Sequence, residues 1–207
     1  FRRHRQPEVT NTAAPAWQPA LAAIARDPSI TEVILSGGDP LLLTDTLLAP
    51  LAARLADIDH IQRLRIHSRM PIVLPARIDP ALCRWLQHSR LQIVMVVHCN
   101  HPNEIDAEVR QALATLRACG CTLLSQSVLL AGVNDDSKVL AALSERLFSA
   151  QVLPYYLHML DAVQGAAHFQ VSEARARALV EALRRALPGY LVPRLVREIA
   201  GRPAKQP

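Results

Sequence analysis

The sequence has little of what marks a membrane protein, a disulfide scaffold or a base-stacking surface. Its most apolar stretches, such as residues 91–97, are far shorter than the about 20 residues of a membrane-spanning helix. Aromatic residues make up 4% of the chain, too few for a platform on which bases stack. The four cysteines form no paired CxxC motif, which favours reduced thiols in a cytoplasmic protein over a metal site. We therefore expect neither a membrane nor a nucleic acid as partner.

The composition predicts one globular domain with excess positive charge. The chain has 207 residues, half of them apolar, which is enough for a large α/β domain with a sizeable core. The net charge of +5 comes mainly from arginines near both ends. This excess favours anionic ligands such as phosphates and carboxylates, and a solvated basic surface has the same composition. Residue 1 is phenylalanine, so we expect further sequence to precede it.

Helical and strand patterns alternate along the chain. Apolar spacing and β-favouring runs predict helices at 16–26, 45–58, 79–88, 104–118, 135–149 and 172–187, and strands at 32–35, 63–67, 91–97, 122–129 and 152–160. Strands that alternate with helices in this way predict a parallel sheet. The segment after Pro188 breaks the alternation, and the pattern assigns no element to it.

Polar side chains follow each predicted strand. The groups lie at 36–39, 67–69, 98–101, 126, and 158 with 161. The carboxyl ends of parallel strands meet at one edge of a sheet, as at the mouth of a barrel. We therefore expect these groups to line one ligand site.

The sequence Ser36-Gly37-Gly38-Asp39-Pro40 has two readings. Directly after a buried strand, glycines let the backbone approach a ligand and adopt positive φ, and the carboxylate lies where α/β enzymes hold their substrates. The same residues also suit a tight turn in which the aspartate caps the next helix. Sequence alone leaves both readings open.

Other charged residues have similarly open roles. Asp39 and Asp161 follow the first and last predicted strands, which lie close together in a barrel, so both carboxylates could face one cavity and hold an ammonium group. Arg2 and Arg69 are forked cations suited to carboxylate or phosphate. Lys205 is either a solvated tail residue or, if desolvated, a Schiff-base amine. The histidines favour hydrogen-bonding roles over a metal site, because they show no short paired spacing.

Several motifs together resemble the lysine 2,3-aminomutases. They are FRRH at 1–4, SGGDP at 36–40, HSR at 67–69, PIVLPARI at 71–78, HPNE at 101–104, QSVLL at 126–130, VND at 133–135, PYY at 154–156 and HF at 168–169. The resemblance extends over nearly the whole chain. Within the family, HSR at 67–69, QGAAHF at 164–169 and the short ending are similar to the bacterial branch that makes (R)-β-lysine for elongation factor P.

The resemblance implies a partial (β/α)6 barrel of the radical S-adenosylmethionine class, with its first strand and cluster loop missing here. It further implies an isomerase that uses S-adenosylmethionine, pyridoxal phosphate and a [4Fe-4S] cluster to convert L-lysine to (R)-β-lysine. The partner would be elongation factor P, reached indirectly through a lysyl ligase. The core would span 1–187, and 188–207 would form a C-terminal segment that carries the pyridoxal phosphate lysine.

The resemblance also implies roles for single residues. Those placed near S-adenosylmethionine are Ser36, Gly37, Gly38, Asp39, His98 and Gln126. Lys205 corresponds to the Schiff-base lysine, and Arg69 lines the pyridoxal phosphate and substrate cavity. Arg2 corresponds to the clamp on the substrate carboxylate. Asp161 corresponds to a partner of the distal ammonium group, and Glu198 replaces an aspartate that shares this role.

The chain departs from the family at the cluster. The CxxxCxxC motif of the family would end just before Phe1, and Cys83, Cys99, Cys119 and Cys121 lie on other elements. We therefore expect a fragment of a longer enzyme, inactive by itself and without metal ligands of its own. Two alternatives are a pyridoxal phosphate barrel with polar chemistry, such as racemisation, and a basic module that binds a translation factor or RNA. The sequence leaves open whether the protein forms a homo-oligomer.

Overall fold

The computed structural model describes residues 17–161 and 164–197. Within them, helices and strands alternate. The helices are α1 (Gln18–Arg26), α2 (Asp45–Ala56), α3 (Met70–Val73), α4 (Pro80–His88), α5 (Ala107–Ala118), α6 (Ser137–Ser149) and α7 (Glu173–Ala186). The strands are β1 (Glu32–Leu35), β2 (Arg63–Ser68), β3 (Gln92–His98), β4 (Thr122–Val128), β5 (Leu153–His158) and β6 (Arg194–Val196).

The six strands form one parallel sheet in the order β1-β2-β3-β4-β5-β6. Each strand pairs with the next one along the chain, as expected for successive strand–helix units. β1 and β6 form the two edges, and the described part of the sheet is not closed. This architecture confirms the predicted α/β fold, and the open sheet is consistent with a partial barrel.

The hydrophobic core lies between the sheet and the helices. Alternate residues of the central strands, such as Ile66, Met95 and Leu123, are fully buried in one cluster with helix residues such as Leu82 and Leu113. Because successive side chains of a strand point to opposite faces, the residues between them lie on the other face. That second face carries half-buried polar side chains, which include Arg65, His67, His98 and Gln126. The alternation thus gives the sheet one dry face and one partly open polar face.

The predicted helix and strand ends agree with the structure to within three residues. The largest difference is at α5, predicted from residue 104. Here Pro102–Glu104 forms a separate 3₁₀ turn and Asp106 caps the helix that begins at Ala107. The sequence did not indicate β6, which pairs with β5 beyond the proposed boundary at residue 187. In the described ranges, no helix is long and apolar enough to cross a membrane.

Candidate functional site

Asp39 ties the loop after β1 to the loop after β2. Its Oδ1 accepts hydrogen bonds from the Ser68 hydroxyl (2.7 Å) and from the backbone N–H of Leu41 (3.0 Å). Its Oδ2 accepts from the backbone N–H of Arg69 (2.6 Å). Ser68 is buried, and its Oγ also accepts from the N–H of Met70. Both carboxylate oxygens therefore have protein donors, so Asp39 fixes the relative position of two strand ends.

The two glycines before Asp39 are required by backbone geometry. Gly37 has φ +85° and Gly38 has φ +62°, in the left-handed region that glycine adopts readily. A Cβ placed on either residue would meet no atom within 4 Å. Ser36, Gly37 and Gly38 are exposed, whereas Asp39 caps the 3₁₀ turn at Pro40–Leu42. Both interpretations of the motif therefore apply. Asp39 caps a turn, and the exposed backbone of residues 36–38 beside that turn is accessible to a ligand.

His98 and Gln126 meet on the polar face at the ends of β3 and β4. They are register partners in the sheet, and the amide Nε2 of Gln126 donates to Nε2 of His98 (2.8 Å). The rings of His67 and His98 lie 6.2 Å apart, nearly perpendicular to each other. The carbonyl oxygen of Gln126 is buried and has no hydrogen-bond donor. A buried acceptor of this kind is where a ligand donor group would bind.

Arg69 and Glu104 join the ends of β2 and β3. Nη2 of Arg69 lies 3.2 Å from Oε2 of Glu104, and their side chains are 51% and 22% exposed. The other oxygen, Oε1, accepts from the backbone N–H groups of Asn100 (2.7 Å) and His101 (2.8 Å). The carboxylate is thus held by its own loop and directed at the arginine of the neighbouring loop.

A buried asparagine fixes the loops after β3 and β4. Asn134 is fully buried, and its Nδ2 donates to the carbonyls of Asn100 (2.8 Å) and Val128 (2.9 Å). Its Oδ1 accepts from the N–H of Leu130 (2.7 Å). The side chain of Asn100 in turn accepts from the N–H of Val128. These bonds hold the carboxyl ends of two neighbouring strands in a fixed relation.

Burial keeps the thiols of two cysteines protonated. Burial raises the pKa of Cys99 to about 12, and the nearby Glu104 carboxylate adds to the shift. Burial likewise raises the pKa of Cys121 to about 12, with a further contribution from Cys83. Thiols in this state are poor metal ligands, because metals bind the thiolate. Across residues 17–161 and 164–197, no group of three histidine, cysteine, aspartate or glutamate residues could hold a metal ion.

The sequence-predicted site residues fall into three sets. Direct contacts join Asp39 to Arg69 and His98 to Gln126, all at the carboxyl ends of β1 to β4. Asp161 is exposed just after β5, and three strands separate it from the strand that precedes Asp39. Residues outside the described ranges are Arg2, Lys205 and Glu198.

Sequence reasoning did not assign individual roles to Ser68, Glu104 and Asn134. Ser68 belonged to a polar group expected to line the site, and all three lay within longer motifs of the family resemblance. The pattern held partial signals for them, since Glu104 follows a strand and proline and Asn134 precedes a helix cap. Each has a partner on a neighbouring loop that is 29 to 35 residues away in the chain, so these contacts could not be deduced from spacing alone.

Comparison with known proteins identifies relatives that carry one name. The L-lysine 2,3-aminomutase of Escherichia coli is 53% identical over 207 residues, which is 100% of this chain and 60% of that protein. The protein of the same name from Haemophilus influenzae is 52% identical over 205 residues, 99% of this chain and 61% of that protein. The one from Clostridium subterminale is 39% identical over 188 residues, 91% of this chain and 45% of that protein. No protein-family model matches the chain.

Solved structures of low sequence identity share the fold. A radical SAM methyltransferase from Sphaerobacter thermophilus aligns with a TM-score of 0.57 at 18% identity, covering 89% of this chain and 55% of that one. Streptococcus suis SuiB aligns with a TM-score of 0.62 at 14% identity, covering 91% and 44%. The chain spans about three fifths of the length of the two most identical relatives named above. Over its whole length the chain is thus similar to proteins named L-lysine 2,3-aminomutase, and it corresponds to that part of them.

Proposed function

We propose that the protein to which this chain belongs is an isomerase that converts L-lysine to β-lysine with S-adenosylmethionine, pyridoxal phosphate and a [4Fe-4S] cluster. The observation that carries the proposal is the open, positive-φ backbone of Gly37 and Gly38 beside the Asp39 clamp. It lies at the sheet edge where parallel α/β folds bind ligands. The identity to proteins named L-lysine 2,3-aminomutase supports this reaction and this substrate.

The described residues suit S-adenosylmethionine. Two exposed glycines leave backbone groups accessible to the polar methionine end of that molecule. The buried carbonyl oxygen of Gln126 offers an acceptor on the polar face, next to His98. Asp39 would not contact S-adenosylmethionine directly, because its oxygens already accept three protein hydrogen bonds. We assign it the task of holding the glycine turn in place.

The described residues also suit an anionic group on the substrate side. The guanidinium of Arg69 is half-exposed and held by its ion pair with Glu104, so it can bind a phosphate or a carboxylate bidentately. In this proposal pyridoxal phosphate supplies the imine that activates the amino group, and Lys205 holds that cofactor. Arg2 would bind the substrate carboxylate. Asp161 and Glu198 would bind the distal ammonium group.

The cluster has no ligands in the part of the chain that the structure describes. Cys99 and Cys121 are buried thiols with raised pKa values, and no metal-binding group is found there. We therefore assign the cluster to sequence outside these residues. The role of the described part is to bind the organic groups at the carboxyl ends of β1 to β4.

We further propose that the product is (R)-β-lysine and that it serves the modification of elongation factor P through a lysyl ligase. Support comes from the family branch that 67–69 and 164–169 resemble. We place the protein in the cytoplasm, where that modification would occur. The division into a core of 1–187 and a cofactor-bearing segment of 188–207 remains part of the proposal.

The test is anaerobic incubation of the complete gene product with α-¹⁵N-lysine, reductant and S-adenosylmethionine. We expect mass spectrometry to detect β-lysine that retains the label, because the amino group migrates within one molecule. Chiral chromatography would assign the R configuration. Absence of labelled β-lysine from reconstituted protein contradicts the proposal. D-lysine formed without S-adenosylmethionine would instead indicate a racemase.

Two lysine variants test the cofactor assignment. The sequence contains only Lys138 and Lys205. Lys138 is exposed at the start of α6, so Lys138→Ala is the matched control. We expect Lys205→Ala alone to abolish the yellow colour of bound pyridoxal phosphate and its reductive trapping by borohydride. Retention of trapping in Lys205→Ala refutes the role of that residue.

A further inference from the structure

We infer that Glu104 is a positioning residue that holds the guanidinium of Arg69 in the orientation in which it binds an anionic group. The inference rests on the proposed function, in which Arg69 binds a phosphate or carboxylate. It adds a residue to which sequence reasoning gave no role.

The two carboxylate oxygens of Glu104 have separate partners. Oε1 accepts from the N–H groups of Asn100 and His101, and the bond from His101 is part of a capping box in which the imidazole of His101 accepts from the N–H of Asn103. Oε2 lies 3.2 Å from Nη2 of Arg69. The carboxylate cannot turn without breaking two short hydrogen bonds to its own loop. It therefore offers the arginine a fixed partner.

Arg69 is fixed at both ends. Its backbone N–H donates to Oδ2 of Asp39 (2.6 Å), and its guanidinium meets Glu104. Among the described residues, Nη2 is the only guanidinium nitrogen of Arg69 with a hydrogen-bond acceptor. A guanidinium presents five N–H donors in a planar fork, so the others remain for a bound anion. The ion pair thus orients the fork without filling it.

Orientation is the main consequence of this pair. An ion pair with a half-exposed arginine adds little to folding stability, because water screens the charges. The arginine side chain is long and flexible, and immobilising it on binding weakens affinity. Glu104 orders that side chain before the ligand arrives. The negative charge of Glu104 also reduces the attraction of Arg69 for an anion. Because water screens these charges, that effect is smaller than the gain from ordering the side chain.

Glu104→Gln separates the two contacts. The glutamine carbonyl still accepts from Asn100 and His101, whereas its NH₂ group replaces Oε2 and faces the guanidinium. We expect weaker binding of one anionic ligand by about 2- to 10-fold, the range that corresponds to immobilising one long side chain. Two titrations of the complete protein, one with pyridoxal phosphate and one with L-lysine, show whether Arg69 binds the phosphate of the cofactor or the carboxylate of the substrate. Neither titration needs turnover.

A double-mutant cycle with Arg69→Ala supplies the criterion. If Glu104 acts through Arg69, Glu104→Gln has no further effect on either constant in the Arg69→Ala protein. An equal effect in both backgrounds overturns the inference and indicates a loop role instead. Unchanged constants in Glu104→Gln also overturn it. Glu104→Asp in the same cycle covers failure of the glutamine variant to fold. A wild-type protein that binds both ligands yet forms no β-lysine would refute the proposed function alone.

Discussion

Replacement of Asn134 by alanine should destabilise the protein more than any surface change near the site. The side chain is fully buried and makes three hydrogen bonds to backbone groups of Asn100, Val128 and Leu130. Truncation leaves one donor and two acceptors without this partner. A buried polar group that loses its partner costs about 1–3 kcal/mol. Because each carbonyl keeps a second lone pair, we expect a total loss of about 3–5 kcal/mol.

The matched control is Asn103→Ala. Asn103 lies in the loop after β3, which also contains Asn100, and it is exposed. We expect its removal to change the free energy of unfolding by less than about 0.5 kcal/mol. The assay is urea denaturation of the complete protein followed by circular dichroism. Amide exchange at Leu130 gives an independent readout, because its N–H donates to Asn134.

Two outcomes would refute this reasoning. One is a loss below about 1 kcal/mol for Asn134→Ala, which is less than a single orphaned buried group should cost. The other is an unchanged exchange rate at Leu130 in that variant. Either result would mean that the two loops are held by other contacts.

Two further predictions follow from the site. Asp39→Asn must turn an NH₂ group toward one of its present donors, so we expect a loss of about 1.5–3 kcal/mol in unfolding free energy and weaker S-adenosylmethionine binding by equilibrium titration. Asp136→Asn at the cap of α6 is the control, since asparagine caps equally well, and equal effects in both variants would contradict the clamp role. The second prediction concerns the pKa of Cys99, which burial raises from 9.0 to about 12. The folded state keeps this proton longer than the unfolded state, so the stabilisation is complete below pH 9 and falls by about 1.4 kcal/mol per pH unit above it. Urea midpoints between pH 8 and pH 10 should show a shallower decline in Cys99→Ser, and identical slopes would refute the assignment.

The sequence alone predicted most of the elements and the sheet edge that carries the candidate site. Apolar alternation and helical spacing predict every helix except α3 and every strand except β6. The sequence pattern did not predict β6, because Arg194–Val196 is short and follows Pro193. Its extended conformation depends on pairing with β5, which no local pattern encodes.

Contacts between loops required the tertiary structure. The Asp39–Ser68 bond spans 29 residues of chain, and the Arg69–Glu104 pair spans 35. Local propensities set neither the register of β1 on β2 nor that of β2 on β3, and these registers bring the partners together. The proposed meeting of Asp161 with Asp39 stays a prediction of barrel closure.

The chain's residue pattern by itself determined a parallel α/β sheet, a family resemblance and the positions of the loops that carry the candidate site residues, because side-chain periodicity and turn residues act over a few positions. Only the folded arrangement decided that Asp39 holds a turn, that Glu104 faces Arg69 and that Asn134 joins two strand ends. The physical reason is that a hydrogen bond needs its two atoms within about 3 Å. Sheet packing, and not spacing along the chain, sets that distance.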